Sequence, residues 1–257
     1  MFKLFLTECK RTWLMFRYYP SEVIAVIVIL TALFYGLILG IHYVAGTSFS
    51  FGDRLDSLVV GYVLWALVAL TVGDFPRTIQ NEAQTGILEQ IFLSPFGAST
   101  IYLVRAFANM TLNLVLIFGV LLTILAITKS QIQFSPSLLL PLCTVVMGAI
   151  GLGFGMGALA LLFKRIHRIT SIFEFSLLFL LTAPVETWRG LPQVLGQLLP
   201  MTSGMAMLRA MMVRSEAFHP LQFVWAVING VAYFALGMLL FQITERYTKQ
   251  QGILSTH

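Results

Sequence analysis

Long apolar stretches alternate with shorter polar segments along the whole chain. Four of these stretches reach the ~20 residues that a helix needs to cross the hydrocarbon core of a membrane. The second and the fifth are shorter, and we expect them to recruit flanking residues or to lie against a partner. The six stretches are Val23–Val44, Leu58–Gly73, Ala106–Thr128, Ser137–Phe163, Ile172–Ala183 and Leu221–Ile243. The pattern therefore predicts six transmembrane helices.

The composition supports a lipid environment for these stretches. The apolar fraction is 58%, charged residues make up 11%, and the mean hydropathy is +0.87, whereas a soluble domain carries about 25% charged residues. Only helices and closed barrels satisfy their backbone hydrogen bonds in lipid, and barrel strands would alternate over about ten residues. Because the stretches are continuous, we expect an all-α polytopic membrane protein with a single transmembrane domain over residues 1–257.

The distribution of basic residues predicts the orientation. Cytoplasmic loops of membrane proteins are enriched in lysine and arginine. With the N-terminus inside, most of the 16 basic residues fall on inner segments. We therefore expect a multi-pass protein of the cell (inner) membrane with both termini in the cytoplasm. The net charge of +5 follows from this bias, so membrane lipid, and no nucleic acid, is the expected partner.

Residues 1–20 carry an apolar stripe at helical spacing. The stripe consists of Phe2, Phe5, Leu6, Cys9, Trp13 and Phe16. Cations such as Lys3 and Lys10 lie elsewhere around the helix, which is typical of a helix lying in the membrane interface. Pro20 would separate this helix from the first span. The alternative is a disordered basic tail.

The outer segment 184–220 contains two further helical stripes. The first consists of Leu191, Val194, Leu195, Leu198 and Leu199, and Pro200 interrupts it. The second consists of Met201, Met205, Leu208 and Met212. Their spacing predicts a pair of short amphipathic helices. We expect a re-entrant helical hairpin between spans five and six, which is tolerated where protein or water covers its backbone.

The inner segment 74–100 carries the most specific motif. It contains a glutamate, then Thr-Gly, then Leu-Glu and a closing Ser-Pro. In this pattern the segment resembles the coupling region of ABC-2 type permeases, the transmembrane subunits of type V fold ABC exporters. The matching residues are Glu82, Thr85, Gly86, Leu88, Glu89, Ser94 and Pro95. Gln84 departs from the pattern, because a charged residue is common there. The tail Glu245–Leu254 is also similar to that family.

The resemblance implies a partner-dependent function. Such a permease pairs with a second copy, or with a paralogue, and with separate cytoplasmic ABC ATPase subunits that hold ATP and Mg. It would move an amphipathic or hydrophobic substrate, such as a drug-like molecule, a lipid or a lipid-linked glycan, out of the cytoplasm or the inner leaflet. No GxxxxGK[ST] loop occurs in this sequence, and we identify no catalytic residues and no metal site.

The alternative function is a secondary transporter or channel without an ATPase partner. Such a protein would favour carboxylates or ion pairs in the middle of the membrane. The sequence offers Glu174 near the start of span five, where Arg165 or Arg168 is its expected partner. A membrane-embedded enzyme would need a catalytic constellation, and the sequence suggests none.

The inner segment makes physical sense as a lever. Gly86 permits a turn that other residues resist, and Pro95 would stop the helix before span three. Its apolar residues in an otherwise polar segment favour a protein interface. These residues are Ile87, Leu88, Ile91, Phe92 and Leu93. The alternative is an interfacial helix that packs against this chain alone.

Polar and aromatic residues within the spans suggest a substrate path between two copies. Arg105, Asn109 and Asn113 recur on one face of span three, because their spacing is four residues. Asn229 and Tyr233 do so on span six. The path residues that we predict are Tyr35, Tyr62, Trp65, Asn109, Asn113, Asn229 and Tyr233. The alternative is that the asparagines join helices within one chain.

Glycines crowd the fourth apolar stretch. No strand precedes them, so a nucleotide-binding loop is disfavoured. The pairs Gly151/Gly155 and Gly153/Gly157 have the spacing of close helix packing in lipid. Gly36 and Gly40 in the first stretch suggest the same role.

Overall fold

The computed structural model describes residues 2–45, 53–128, 132, 134–163, 166–183 and 191–251. Within these residues the chain forms ten α-helices and a short 3-10 helix, Pro136–Leu138. The α-helices are α1 Phe2–Tyr18, α2 Pro20–Ala45, α3 Asp53–Gln84, α4 Ile87–Phe92, α5 Ala98–Thr128, α6 Leu139–Leu162, α7 His167–Thr182, α8 Leu191–Leu198, α9 Thr202–Met212 and α10 Pro220–Gln251. The expected all-helical architecture is therefore confirmed for the described residues.

Five helices are long and apolar enough to cross a membrane: α2, α3, α5, α6 and α10. The fifth predicted stretch lies within α7, which has 16 residues. At 1.5 Å per residue it spans about 24 Å, less than a hydrocarbon core of ~30 Å. The structure thus supports a multi-pass membrane protein, and the sixth span stays a prediction.

The two most buried of these helices form the centre of the fold. In both α3 and α6, 67% of the most apolar window is buried, compared with 6% in α2. Helix α3 packs against α5, α6 and α7, while α6 has its largest interface with α10. Helices α5 and α10 pack against this pair, and α2 packs against α5. All three leave large apolar side chains exposed, such as Ile24, Val115 and Leu236, as a lipid environment permits.

Glycines bring α6 and α10 into backbone contact. A Cβ atom added to Gly151 would lie 2.6 Å from the Cα of Phe234, and one added to Gly230 would lie 2.6 Å from the carbonyl oxygen of Thr144. The predicted packing role is confirmed for Gly151. It is wrong for Gly155, around which an added Cβ would meet no atom of the described residues within 4 Å.

The other predicted packing glycines also fall into tight sites and open sites. An added Cβ on Gly153 would meet the ring of Phe75, and one on Gly157 would meet Ile79 and Phe241, so both sites are tight. Gly36 and Gly40 have no atom of the described residues within 4 Å of an added Cβ. Within this chain they are therefore not packing glycines.

The N-terminal segment is helical, and its packing distinguishes its two sides. Helix α1 packs against α5 and α2, with Thr12 buried and Leu6 and Trp13 exposed. The predicted helix is confirmed, whereas its position in the interface stays a prediction. Pro20 begins α2, as proline commonly does at the first helical position.

The outer segment contains the two predicted short helices, α8 and α9, on either side of Pro200. Residues 184–190 lie outside the described residues. Arg209 of α9 is buried and donates hydrogen bonds to the carbonyl oxygens of Leu181 (2.6 Å) and Ala183 (3.1 Å). These bonds satisfy the carboxyl end of α7 and fix α9 beside it. The re-entrant character of the pair stays a prediction.

Candidate coupling site and substrate path

The predicted coupling segment starts as a continuation of α3. This helix passes through Pro76 and ends at Gln84, so the polar segment that we expected after Gly73 starts with a helical part, Asp74–Gln84. Thr85 then donates its hydroxyl to the carbonyl oxygen of Asn81 at 2.9 Å. Gly86 follows with φ 73°, in the left-handed region. The predicted turn at Gly86 is therefore confirmed.

The second turn of the segment separates α4 from α5. It contains Ser94, whose hydroxyl oxygen accepts a hydrogen bond from the amide of Phe96 at 3.4 Å, and the exposed Pro95. Gly97 has φ 74° and precedes α5. The predicted helix stop at Pro95 agrees with this turn.

Glu82 faces the interior of the chain. It is 8% exposed, pairs with the guanidinium of Arg105, and accepts a hydrogen bond of 2.5 Å from the hydroxyl of Tyr102. The carboxylate is thus committed to α5. In this conformation Glu82 positions the coupling segment and does not offer its charge to a partner.

Arg105 joins three helices at this point. Its Nη1 pairs with Glu82 at the end of α3, and its Nε lies 3.0 Å from the carboxylate of Glu8 on α1. Glu8 is also 3.4 Å from Arg11. Removing one partner of an ion pair this well buried would leave an uncompensated charge, which would destabilise the fold. The cluster therefore ties α1, α3 and α5 together.

A second polar cluster ties the segment to α10. Glu245 accepts a hydrogen bond of 2.6 Å from the hydroxyl of Ser99 and lies 2.8 Å from the ammonium of Lys249. The same ammonium lies 5.2 Å from the ring centre of Phe92, at the end of α4. This distance is within the range of a cation–π contact. The end of α4 is therefore fixed to both α5 and α10.

The short helix α4 has two different sides. Leu88, Ile91 and Phe92 are buried within the chain. Ile87 is 43% exposed and Leu93 is 86% exposed, and Glu89 is exposed beside them. The interpretation of packing within this chain therefore holds for Leu88, Ile91 and Phe92, whereas a protein interface at Ile87 and Leu93 stays a prediction. The exposed side keeps an apolar surface with an acidic residue.

The aromatic path residues lie inside the chain. Tyr62 donates a hydrogen bond of 2.6 Å to the carbonyl oxygen of Leu30, and Trp65 donates one of 2.8 Å to that of Glu174. Both are buried. Tyr35 is partly buried, and its hydroxyl finds no hydrogen-bond partner in the described part of the chain. Tyr62 and Trp65 thus join α3 to α2 and α7.

Asn229 and Tyr233 hold the turn between α8 and α9. The side-chain oxygen of Asn229 accepts a hydrogen bond of 3.0 Å from the amide of Met201, and its nitrogen donates one of 3.0 Å to the carbonyl oxygen of Leu199. Tyr233 donates to Leu198 at 2.9 Å. These contacts match the alternative interpretation, in which polar residues join helices.

Asn109 and Asn113 face a groove between α1, α2, α3 and α5. Asn113 donates a hydrogen bond of 3.1 Å to Asp74, and Asn109 accepts one of 3.4 Å from Thr12. The predicted path residues therefore occupy separate parts of the chain. We did not predict Asp74 as a site residue, because its position after an apolar stretch placed it at the start of a loop.

Of the two predicted partners of Glu174, the structure describes only Arg168. No ion pair joins Glu174 to Arg168 in the structure, and Arg165 lies outside the described residues. Its side chain faces a small recess that also contains Arg77 and His167. Among the described residues, no group of three or more potential ligands could hold a metal ion.

The sequence was also compared with known proteins. No protein-family model matches the chain, and no curated protein sequence matches it significantly.

Proposed function

We propose that this chain is the membrane subunit of an ATP-driven ABC exporter. Two copies would work with two cytoplasmic ATPases, which would hold ATP and Mg. The observation that carries the proposal is the construction of α4. Its outer side has exposed apolar and acidic residues, while its inner side is buried and Phe92 lies against the ammonium of Lys249 on α10.

The two polar clusters would transmit movement of α4 to the membrane. Arg105 connects the last turn of α3 to α1, and Lys249 connects Phe92 to α10. A contact that moved α4 would therefore displace several helices together. Removing one partner of the buried Arg105–Glu82 pair would cost about 3–5 kcal/mol. The cation–π contact of Lys249 with Phe92 contributes about 0.5–2 kcal/mol.

The exposed side of α4 is the part that would contact the ATPase. Leu93 and Glu89 carry most of this surface. Burying a leucine side chain contributes about 1.5–3 kcal/mol, and depletion of that surface should weaken the complex about tenfold or more. Because Glu82 is already paired within the chain, its substitution should act on the permease itself.

Co-purification with a cytoplasmic ABC ATPase of the same genome would test the proposal. We expect Leu93→Asp and Glu89→Lys each to reduce ATPase recovery and the stimulation of its ATP hydrolysis. Phe96 and Phe134 provide a matched pair, since they are 52% and 56% exposed and flank opposite ends of α5. Phe96→Asp should weaken the complex, whereas Phe134→Asp should leave it unchanged.

Equal ATPase recovery with all four variants would contradict the proposal.

The second candidate is a secondary transporter, and one observation favours it: Asp74 lies within the candidate span Leu55–Gln84 without an ion-pair partner among the described residues. Transport by the reconstituted chain alone, driven by a proton gradient without nucleotide, would favour that function.

A further inference from the structure

A groove of about 260 Å³ lies between α1, α2, α3 and α5. We propose that it binds the ammonium head of an amphipathic cation, with the apolar chain lying along α2 and α5. This inference names a substrate class for the proposed exporter. It rests on the proposed function only in calling the bound molecule a substrate. The polar lining includes Thr12, Glu22, Asp74, Asn109 and Asn113.

The charge of Asp74 carries the argument. Three other partly or fully buried carboxylates of this region, Glu8, Glu82 and Glu245, each have an arginine or lysine within 4.0 Å. Asp74 has none among the described residues, and Arg77, one helical turn away, is exposed. Its identified polar partner is Asn113, at 3.1 Å. A carboxylate within a membrane-spanning segment is costly without a compensating charge.

The rest of the groove favours a cation over an anion. Glu22 on α2 adds a second acidic group to the lining. Arg105 lines an adjoining recess that also contains Asp74. Its guanidinium is already shared between Glu8 and Glu82. An anionic head would therefore meet two carboxylates, whereas an ammonium would be attracted by both.

The apolar wall suits a hydrocarbon chain. Val23 and Val26 of α2 face Leu112 and Leu116 of α5 across the groove. Sites of this kind use a few polar groups for orientation and apolar surface for the remainder of the ligand. Helix α2 is the most exposed of the five long helices, so a lipid-borne molecule could reach this wall without crossing the core.

Two fluorescent probes that share a dansyl-labelled undecyl chain would test the proposal. One carries a trimethylammonium head and the other a carboxylate head. The purified full chain is titrated with each probe in dodecyl maltoside micelles, which contain no ammonium group. We expect preferential binding of the cationic probe. Asp74→Asn should weaken binding of the cationic probe about tenfold and should not weaken binding of the carboxylate probe.

Two further variants separate charge from structure. Asp56→Asn removes a carboxylate from the same helix outside the groove, and it should bind both probes like the wild type. Val26→Trp should fill the groove and weaken binding of the cationic probe, although it removes no charge. Unchanged binding of the cationic probe by Asp74→Asn, or equal binding of the two probes by the wild type, would overturn the proposal.

Competition would identify the source of the ammonium group. Displacement of the cationic probe by phosphatidylethanolamine, and not by phosphatidylglycerol, would support an amine-headed lipid. Resistance to both lipids, with the Asp74 dependence intact, would support a soluble cationic amphiphile. The titrations need no ATPase, so a failed ATPase interaction and a failed groove assignment give separate results.

Discussion

A Cβ atom added to Gly237 of α10 would collide with the backbone carbonyl of Gly151 on α6. The two helices therefore meet backbone to backbone at this point, and α6 shares a larger interface with α10 than with any other described element. In lipid, where apolar side chains gain little by leaving the solvent, such close approach supplies van der Waals attraction between helices.

Gly237→Ala should destabilise the folded chain by about 1–3 kcal/mol, because the new methyl group forces the two backbones apart. Unfolding in mixed micelles of maltoside and dodecyl sulfate would measure the loss. Gly155→Ala is the matched control, since an added Cβ there meets no described atom within 4 Å. It should be neutral or stabilise α6 by up to about 1 kcal/mol through helix propensity. Similar losses in the two variants would contradict the packing described here.

Arg105→Gln should cost about 3–5 kcal/mol, because it leaves two buried carboxylates, Glu8 and Glu82, without their shared cation. The same unfolding measurement would detect it. Arg214→Gln breaks an exposed ion pair with Glu216, in which the side chains are 45% and 42% exposed. Exposed pairs contribute about 0–1 kcal/mol, so this control should change stability little. A small effect at Arg105 would indicate that its guanidinium is solvated.

Asn229→Leu should release the turn between α8 and α9. The amide of Met201 would lose its side-chain acceptor, so its hydrogen exchange should accelerate about tenfold, as expected for a loss of 1–1.5 kcal/mol. Mass spectrometry of the peptide that covers Met201 would measure the exchange. Gln222→Leu, at an exposed position on the same helix, should leave this rate unchanged. Equal rates in both variants would exclude Asn229 as the anchor of the turn.

Cysteine labelling on intact cells would test the orientation. Cys9 and Cys143 are free and would first be replaced by serine. In that background a membrane-impermeant maleimide should modify Ser215→Cys, in the predicted outer segment, and should spare Ser94→Cys, in the predicted inner turn. The charge bias of the loops is the physical reason for this expectation. The reverse labelling pattern would invert the predicted topology.

Local pattern determines the helices and their interruptions. Long apolar runs form helices in lipid because no other open structure satisfies the backbone there. The break at Pro200 and the turn at Gly86 could likewise be located by residue type alone. The helix that contains the second stretch continues past Gly73, through Pro76 to Gln84, as the expected recruitment of flanking residues allows. Polar residues continue a helix as readily as apolar ones, so hydropathy alone does not locate its end.

Tertiary structure alone decided which side of each helix faces the protein. A lipid-facing residue and a core residue are both apolar, so helical periodicity does not separate Tyr62, which is buried, from Leu39, which is exposed. Local pattern also does not predict which polar residues pair with each other. Arg105 reaches Glu8 across 97 positions of sequence, and Asp74 faces the groove only because α1 and α2 pack beside α5. Such contacts depend on the packing of whole helices, and no spacing within one helix encodes them.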